Sequence, residues 1–160
     1  MIPGDENSQN DHAGVRFPPP LIYLLPLLAG LMFDSPWSAG RLAATGWMVA
    51  GAVLFLAGAA LLLAGAPKHR RAGTSIEPWK PTTAIIDDGV YGYSRNPLYL
   101  AMALVYAGVA VAGGSIAALV LLIPALLVIR YYVIAREEAY LDARFGATYQ
   151  AYKAKVRRWL

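Results

Sequence analysis

The chain sorts its side chains into long apolar runs and short polar stretches, with little alternation of single positions. Residues 17–33, 43–66 and 97–129 contain no charged side chain. Runs of this kind are of membrane-crossing length or close to it, and longer than a soluble core helix requires. The last is too long for one crossing. As a single helix its 33 residues would extend about 50 Å at roughly 1.5 Å per residue, against a hydrocarbon layer of about 30 Å. Gly113-Gly114-Ser115 is a turn-forming cluster that breaks the run. The pattern therefore predicts an outgoing helix over 97–112 and a returning helix over 116–135. A tight hairpin returns the chain to the side it left, so Asn96 and Glu137 are expected on the same face of the membrane.

The other two runs supply spans over 17–33 and 43–66, giving about four spans. The first contains Pro26 and follows Pro18-Pro19-Pro20. The second is rich in Ala, Gly and Leu, and its small residues allow close helix approach, although no strict Gly-x-x-x-Gly occurs. Residues 1–16 are polar and aperiodic and are expected to form a disordered leader. Asp5, Glu6 and Asp11 stand there against one Arg16, which argues against a signal peptide. The polar segment 67–96 is long for a connector, and Trp79, Ile85 and Ile86 suit a lid at headgroup level. Beyond 135, Leu141, Phe145, Tyr149, Tyr152 and Val156 form an apolar stripe beside Arg144, Lys153, Lys155, Arg157 and Arg158. This predicts a basic amphipathic interfacial helix over 136–157, with Gly146 placed to bend it. The expected fold is an all-α polytopic transmembrane bundle with a C-terminal interfacial helix, residues 17–160 forming one domain.

Composition agrees. Apolar residues make up 58% and charged residues 15%, where soluble domains hold roughly 45–50% and about 25%. Charge then orients the spans. Of fourteen Lys and Arg, five lie in 67–96 and seven from Arg130 onward, leaving Arg16 and Arg41. By the positive-inside rule both termini and the 67–96 loop face the cytoplasm, with a bacterial-type inner membrane the expected setting. Cysteine is absent, so disulfides and thiolate metal sites have no ligands. The cluster Lys68-His69-Arg70-Arg71 reads as headgroup contact rather than nucleic-acid binding in a chain largely inside lipid. His12 and His69 read as solvated. No metal-spaced cluster, phosphate loop or serine triad occurs, and a metal is not expected.

The remaining polar residues near the spans carry the candidate chemistry. Pro97 can only open a helix, so Arg95 and Asn96 sit at its N-terminal end, where anions are favoured. Glu137 and Glu138 are adjacent and diverge by about 100° on a helix. One is expected to face Arg95 or a ligand and the other to face solvent or cap a neighbouring backbone. A cleft holding a helix N-terminus, an Arg and a Glu suits a zwitterion: carboxylate to the first two, ammonium or ribose hydroxyls to the last.

These residues occur in a recognisable order. Thr74…Glu77-Pro78…Pro81, then Gly89-x-Tyr91-x-x-Ser94-Arg95-Asn96-Pro97-x-Tyr99, a hydrophobic hairpin, Glu137-Glu138-x-x-Leu141, and Phe145-Gly146-x-x-Tyr149-x-x-Tyr152-x-x-x-Val156-x-Arg158-Trp159 resemble the isoprenylcysteine carboxyl methyltransferase family and its phospholipid methyltransferase relatives, over roughly 74–159. The resemblance implies S-adenosylmethionine in a cytoplasmic pocket and a lipophilic acceptor entering sideways from the bilayer. It implies that Tyr91, Arg95, Asn96, Pro97, Tyr99 and Leu100 meet the cofactor and that Glu137 and Glu138 close the pocket. The family commonly has His where this chain has Asn96, an amide that hydrogen-bonds but does not titrate.

Methyl transfer from a sulfonium is an in-line displacement. It needs an acceptor held about 3–3.5 Å away, aligned and shielded from water. A carboxylate, thiolate or free amine needs no strong base, so Arg95 is expected to orient rather than to transfer protons. Two other readings stand beside this one: an NADPH-dependent membrane reductase of sterol-reductase-like architecture, and a non-catalytic scaffold or lipid-binding module.

Overall fold

A computed structural model describes residues 12–34 and 45–160. Among them every regular element is helical, with no strand. Helix α1 is Pro19–Asp34, α2 Thr45–Arg71, α3 Pro97–Ala112, α4 Ile116–Val128, α5 Ala135–Phe145 and α6 Ala147–Lys155. A 3₁₀ turn, Gly89–Gly92, precedes α3, and a π-helical segment, Ile129–Ile134, joins α4 to α5 without a break. The turn expected between the first two spans, the start of the second, and Arg41 lie outside the described residues, as do residues 1–11.

Two helices, Thr45–Arg71 and Ile116–Phe145, are long and apolar enough to cross a membrane, while α1 and α3 are shorter apolar helices. Their large apolar side chains point outward: Leu63 is 77% exposed, Met32 76% and Phe33 73%. A soluble protein would bury such a belt; hydrocarbon is the solvent it matches. At 16 residues each, α1 and α3 span about 24 Å at roughly 1.5 Å per residue.

The helices pack in a chain of contacts. α2 lies along α3 with the largest contact in the molecule, α1 packs on α4 and α3, and α3 packs on α4. Glycine makes the α2–α3 seam. Gly51, Gly58 and Gly65 are the buried residues of α2, and they repeat every seventh position on one face. A Cβ at Gly58 would come within 2.7 Å of the Ala101 carbonyl, and one at Gly108 within 2.5 Å of the Phe55 nitrogen. The backbones are therefore too close for any larger residue, which is how an apolar pair associates where lipid offers no hydrophobic drive.

The α3–α4 hairpin forms where the sequence breaks. Gly114 takes φ +63, a left-handed value that suits glycine. Ser115 then caps α4, its Oγ accepting from the Ala118 nitrogen at 3.0 Å. Asp34, ending α1, accepts from Ser115 Oγ at 2.7 Å and from the Ala117 nitrogen at 2.8 Å. A carboxylate at a helix N-terminus is favourable. It ties α1 to the turn.

Three boundaries differ from the sequence pattern. α2 continues through Pro67 to Arg71, so the loop begins five residues later than 67. The helix end is closed by Thr74 N–H donating to His69 O at 3.0 Å and by Gly73 at φ +65. The single helix expected over 136–157 is two helices, α5 running on from α4, with Gly146 at φ 50, ψ −122 turning the chain into α6. Only glycine reaches that backbone region at little cost. Finally, the stretch 12–16, expected to be part of a disordered leader, packs in place. Val15 is buried in the core, Ala13 N–H donates to Pro78 O at 3.2 Å, and Arg136 Nη1 donates to Gly14 O at 3.0 Å. One valine finding a tertiary slot leaves no local signature.

Candidate functional site

At the end of the bundle away from Asp34, the hairpin brings its two polar tips together. Tyr99, in the first turn of α3, donates its hydroxyl to Glu137 Oε1 at 2.6 Å, and Arg95 Nη2 lies 3.3 Å from Glu138 Oε1. Pro97 is the first residue of α3, with Asn96 as its N-cap, so the elbow points Arg95 across to α5.

The π segment sets which residues α5 presents. Ala118, Ala125 and Ile129 are buried on one face of α4. Continuing at about 100° per residue, an unbroken α-helix would bring Arg136 onto Ile129's face seven residues later. A π turn absorbs one extra residue, and the inward face passes to Glu137 and Glu138, with Glu138 buried and Glu137 half-buried. Arg136 accordingly lies exposed, over the Tyr132 ring at 4.6 Å.

The last residues complete the site. Arg95 N–H donates to Arg157 O at 2.9 Å, Asn96 Nδ2 to Arg158 O at 2.9 Å, and Ser94 Oγ to Arg158 O at 3.4 Å. Tyr152 donates its hydroxyl to Tyr91 O at 2.8 Å. Val156 is buried and Trp159 packs against the core. The segment after α6 is thus a strap fastened to the 94–96 elbow. Arg158 grips Glu138 with two bonds, Nε to Oε1 at 2.9 Å and Nη2 to Oε2 at 2.6 Å.

Between the elbow, α5, α6 and the 74–86 loop lies a cavity of about 350 Å³, within the range of small-molecule sites. Seven of the eight residues named from the sequence line it: Tyr91, Arg95, Asn96, Pro97, Tyr99, Glu137 and Glu138. Leu100 does not. Both glutamates line it, against the expectation that one would face solvent. The divergence between them is real, but the cavity wraps around α5, with Tyr99 holding one carboxylate and Arg158 the other. Asn96 lines the cavity while its amide donates to the strap. Further wall residues come from the loop and the spans: Ile85 and Ile86, read from the sequence as suited to a lid, and Thr74 of the family pattern, together with Ile76, Leu62 and Met102, which the sequence did not single out. His69, expected to be solvated, is half-buried, lines the cavity and sits with Nδ1 3.3 Å from the Tyr91 hydroxyl. A helix that persists past Pro67 was the signal needed to place it.

Electrostatics favour a charged guest. Arg95 Nε and Nη1 are buried without a hydrogen-bond partner. Buried unpaired guanidinium donors are costly, and a carboxylate presented through the cavity would satisfy one. Glu137, two residues past the apolar part of its helix, is held at a pKa of about 7: burial raises it, the Tyr99 hydroxyl lowers it, and the Glu138 charge raises it. Burial likewise pushes the Tyr149 hydroxyl up to about 12 and lowers His69.

Apolar helices that face lipid, tied together by Asp34 at one end and opened by a largely apolar cavity with charged residues in its wall at the other, define a helical membrane protein with an internal cavity. The chain belongs to the phospholipid methyltransferase family, matching it over residues 47–148. That stretch holds the elbow and both glutamates but neither α1 nor the strap. The chain is also similar to a protein of Haemophilus influenzae named only as uncharacterized, at 60% identity over 35 residues, which are 22% of this chain and 56% of that protein. The match thus spans little more than half of that curated relative. No solved structure matches.

Proposed function

We propose that this protein is an S-adenosylmethionine-dependent membrane methyltransferase acting on a small or lipidic amphiphile. The unpartnered Arg95 donors at the cavity carry this reading. Arg95 would hold the carboxylate of the cofactor's amino-acid end through a free guanidinium donor, and Glu137 its ammonium. Tyr91, Pro97 and Tyr99 form the adjoining wall, while Glu138 acts from behind Arg95. When bound, S-adenosylmethionine supplies an electrophilic methyl group.

The chain's own part is to orient and to exclude water. The loop residues Ile76, Ile85 and Ile86 cover one side of the cavity, and Leu62 and Met102 extend it toward the spans, a surface suited to the apolar part of an acceptor whose nucleophile is a carboxylate, thiolate or amine. Such an acceptor needs alignment more than a proton acceptor. The bias of Lys and Arg toward 67–96 and the C-terminal segment favours a cytoplasmic opening in a bacterial-type inner membrane.

The test is transfer of a labelled methyl group from S-adenosylmethionine into membrane extract by the purified protein in lipid nanodiscs, compared with Arg95→Ala. Labelled lipid or lipid-like product made by the wild type alone is expected. NADPH binding without S-adenosylmethionine binding would reverse the assignment in favour of a reductase.

A further inference from the structure

The two arginines beside Glu138 are unequally matched to it. Arg158 holds both carboxylate oxygens in a side-on pair, whereas Arg95 reaches Oε1 only through Nη2. Two other donors of Arg95, Nε beside Nη2 and Nη1 on the opposite side of the guanidinium, are left buried and unbound. Left with Arg95 alone, a carboxylate at this distance would pair side-on with it, because the bidentate geometry is the stronger one. Two guanidiniums against one carboxylate also leave one positive charge facing the cavity; one against one leaves none.

We infer that Arg158 is a positioning residue that keeps Glu138 from pairing side-on with Arg95 through Nε and Nη2, and so keeps the Arg95 Nε donor and its charge available to a ligand carboxylate that Arg158 itself does not touch. The inference rests on the cofactor reading above and goes beyond it. It makes the strap part of the binding energetics: the Arg158 carbonyl is anchored to Ser94 and Asn96, which sets its side chain against Glu138. Substitution of the side chain leaves those main-chain bonds in place, so the variants retain their principal fastening.

Equilibrium binding to the protein in nanodiscs tests this with two probes. S-adenosylhomocysteine carries the amino-acid carboxylate, and 5′-methylthioadenosine lacks the amino-acid end. Arg158→Ala is expected to weaken S-adenosylhomocysteine by about ten- to a hundredfold, the worth of hydrogen bonds to a charged group, and to leave methylthioadenosine unchanged. Adding Glu138→Gln to Arg158→Ala removes the competing charge and is expected to restore most of the loss. Arg158→Gln replaces Arg158→Ala if the latter does not give a sharp melting transition. No loss in the Arg158 variant, equal loss for both probes, or no recovery in the double variant overturns the inference while wild-type binding keeps the cofactor reading intact. Failure of the wild type to bind S-adenosylhomocysteine overturns both.

Discussion

The two ends of the α3–α4 hairpin are built from similar materials and finished differently. At the Gly113–Ser115 end, one carboxylate, Asp34, meets a hydroxyl and a backbone N–H, and Ser115 caps the helix it precedes. At the other end, Arg95 and two glutamates line a cavity, Arg158 pairs with Glu138 from outside it, and Arg95 keeps two buried donors unmatched. The closed end shows that this chain can satisfy polar groups at a helix terminus. On the function proposed above, the open end gives up stability to keep binding donors available.

Substitutions should separate the two ends. The largest effect is expected from Arg95→Ala, which should reduce S-adenosylhomocysteine affinity by about a hundredfold, the upper range for a charge-assisted pair. Its melting temperature should change little, because Glu138 retains Arg158. A comparable loss of stability and binding together would mean that Arg95 is structural. Next, Gly58→Leu should drive α2 off α3 along a seam that serves both ends, lowering stability by about 3 kcal/mol or more in denaturant titration. Asp34→Ala should cost about 1–2 kcal/mol as a lost helix cap and leave ligand affinity unaltered; a change in affinity would show that the ends are coupled.

The smallest effect is a pH dependence. Glu137 is protonated more readily in the fold than in the unfolded chain, so the free protein binds the extra proton and should lose stability as pH rises from about 5 to about 8. Over the same window the carboxylate forms, and affinity for a ligand ammonium should rise by a few-fold. Glu137→Gln should flatten both trends, read by melting temperature and by binding at pH 6 and 8.

How much of this was legible in the sequence depends on where the determining contact lies. The hairpin and its facing tips were legible because Pro97 and Gly113-Gly114-Ser115 act on their own backbone. The cavity residues Arg95, Glu137 and Glu138 followed from that geometry, and Tyr99 from the family resemblance. The strap was not legible, since its anchors are the carbonyls of Arg157 and Arg158, which every residue type carries alike. His69 was misread because three basic neighbours made it look solvated, whereas the helix through Pro67 turns it toward Tyr91. The segment 129–134, Ile-Arg-Tyr-Tyr-Val-Ile, contains no Pro or Gly to announce a change of winding.

That change of winding has a consequence for how the site's polarity is chosen. Position along the chain does not by itself decide whether an acid or a base looks inward from α5; the local pitch of the backbone does. Rewinding the same residues as an ordinary α-helix would rotate α5 by about a quarter of a circle and offer the incoming zwitterion Arg136 in place of Glu137, whereas deleting one residue from the wider turn would restore the ordinary pitch with Glu137 still inward. Inverted selectivity could thus arise without altering any side chain in the pocket.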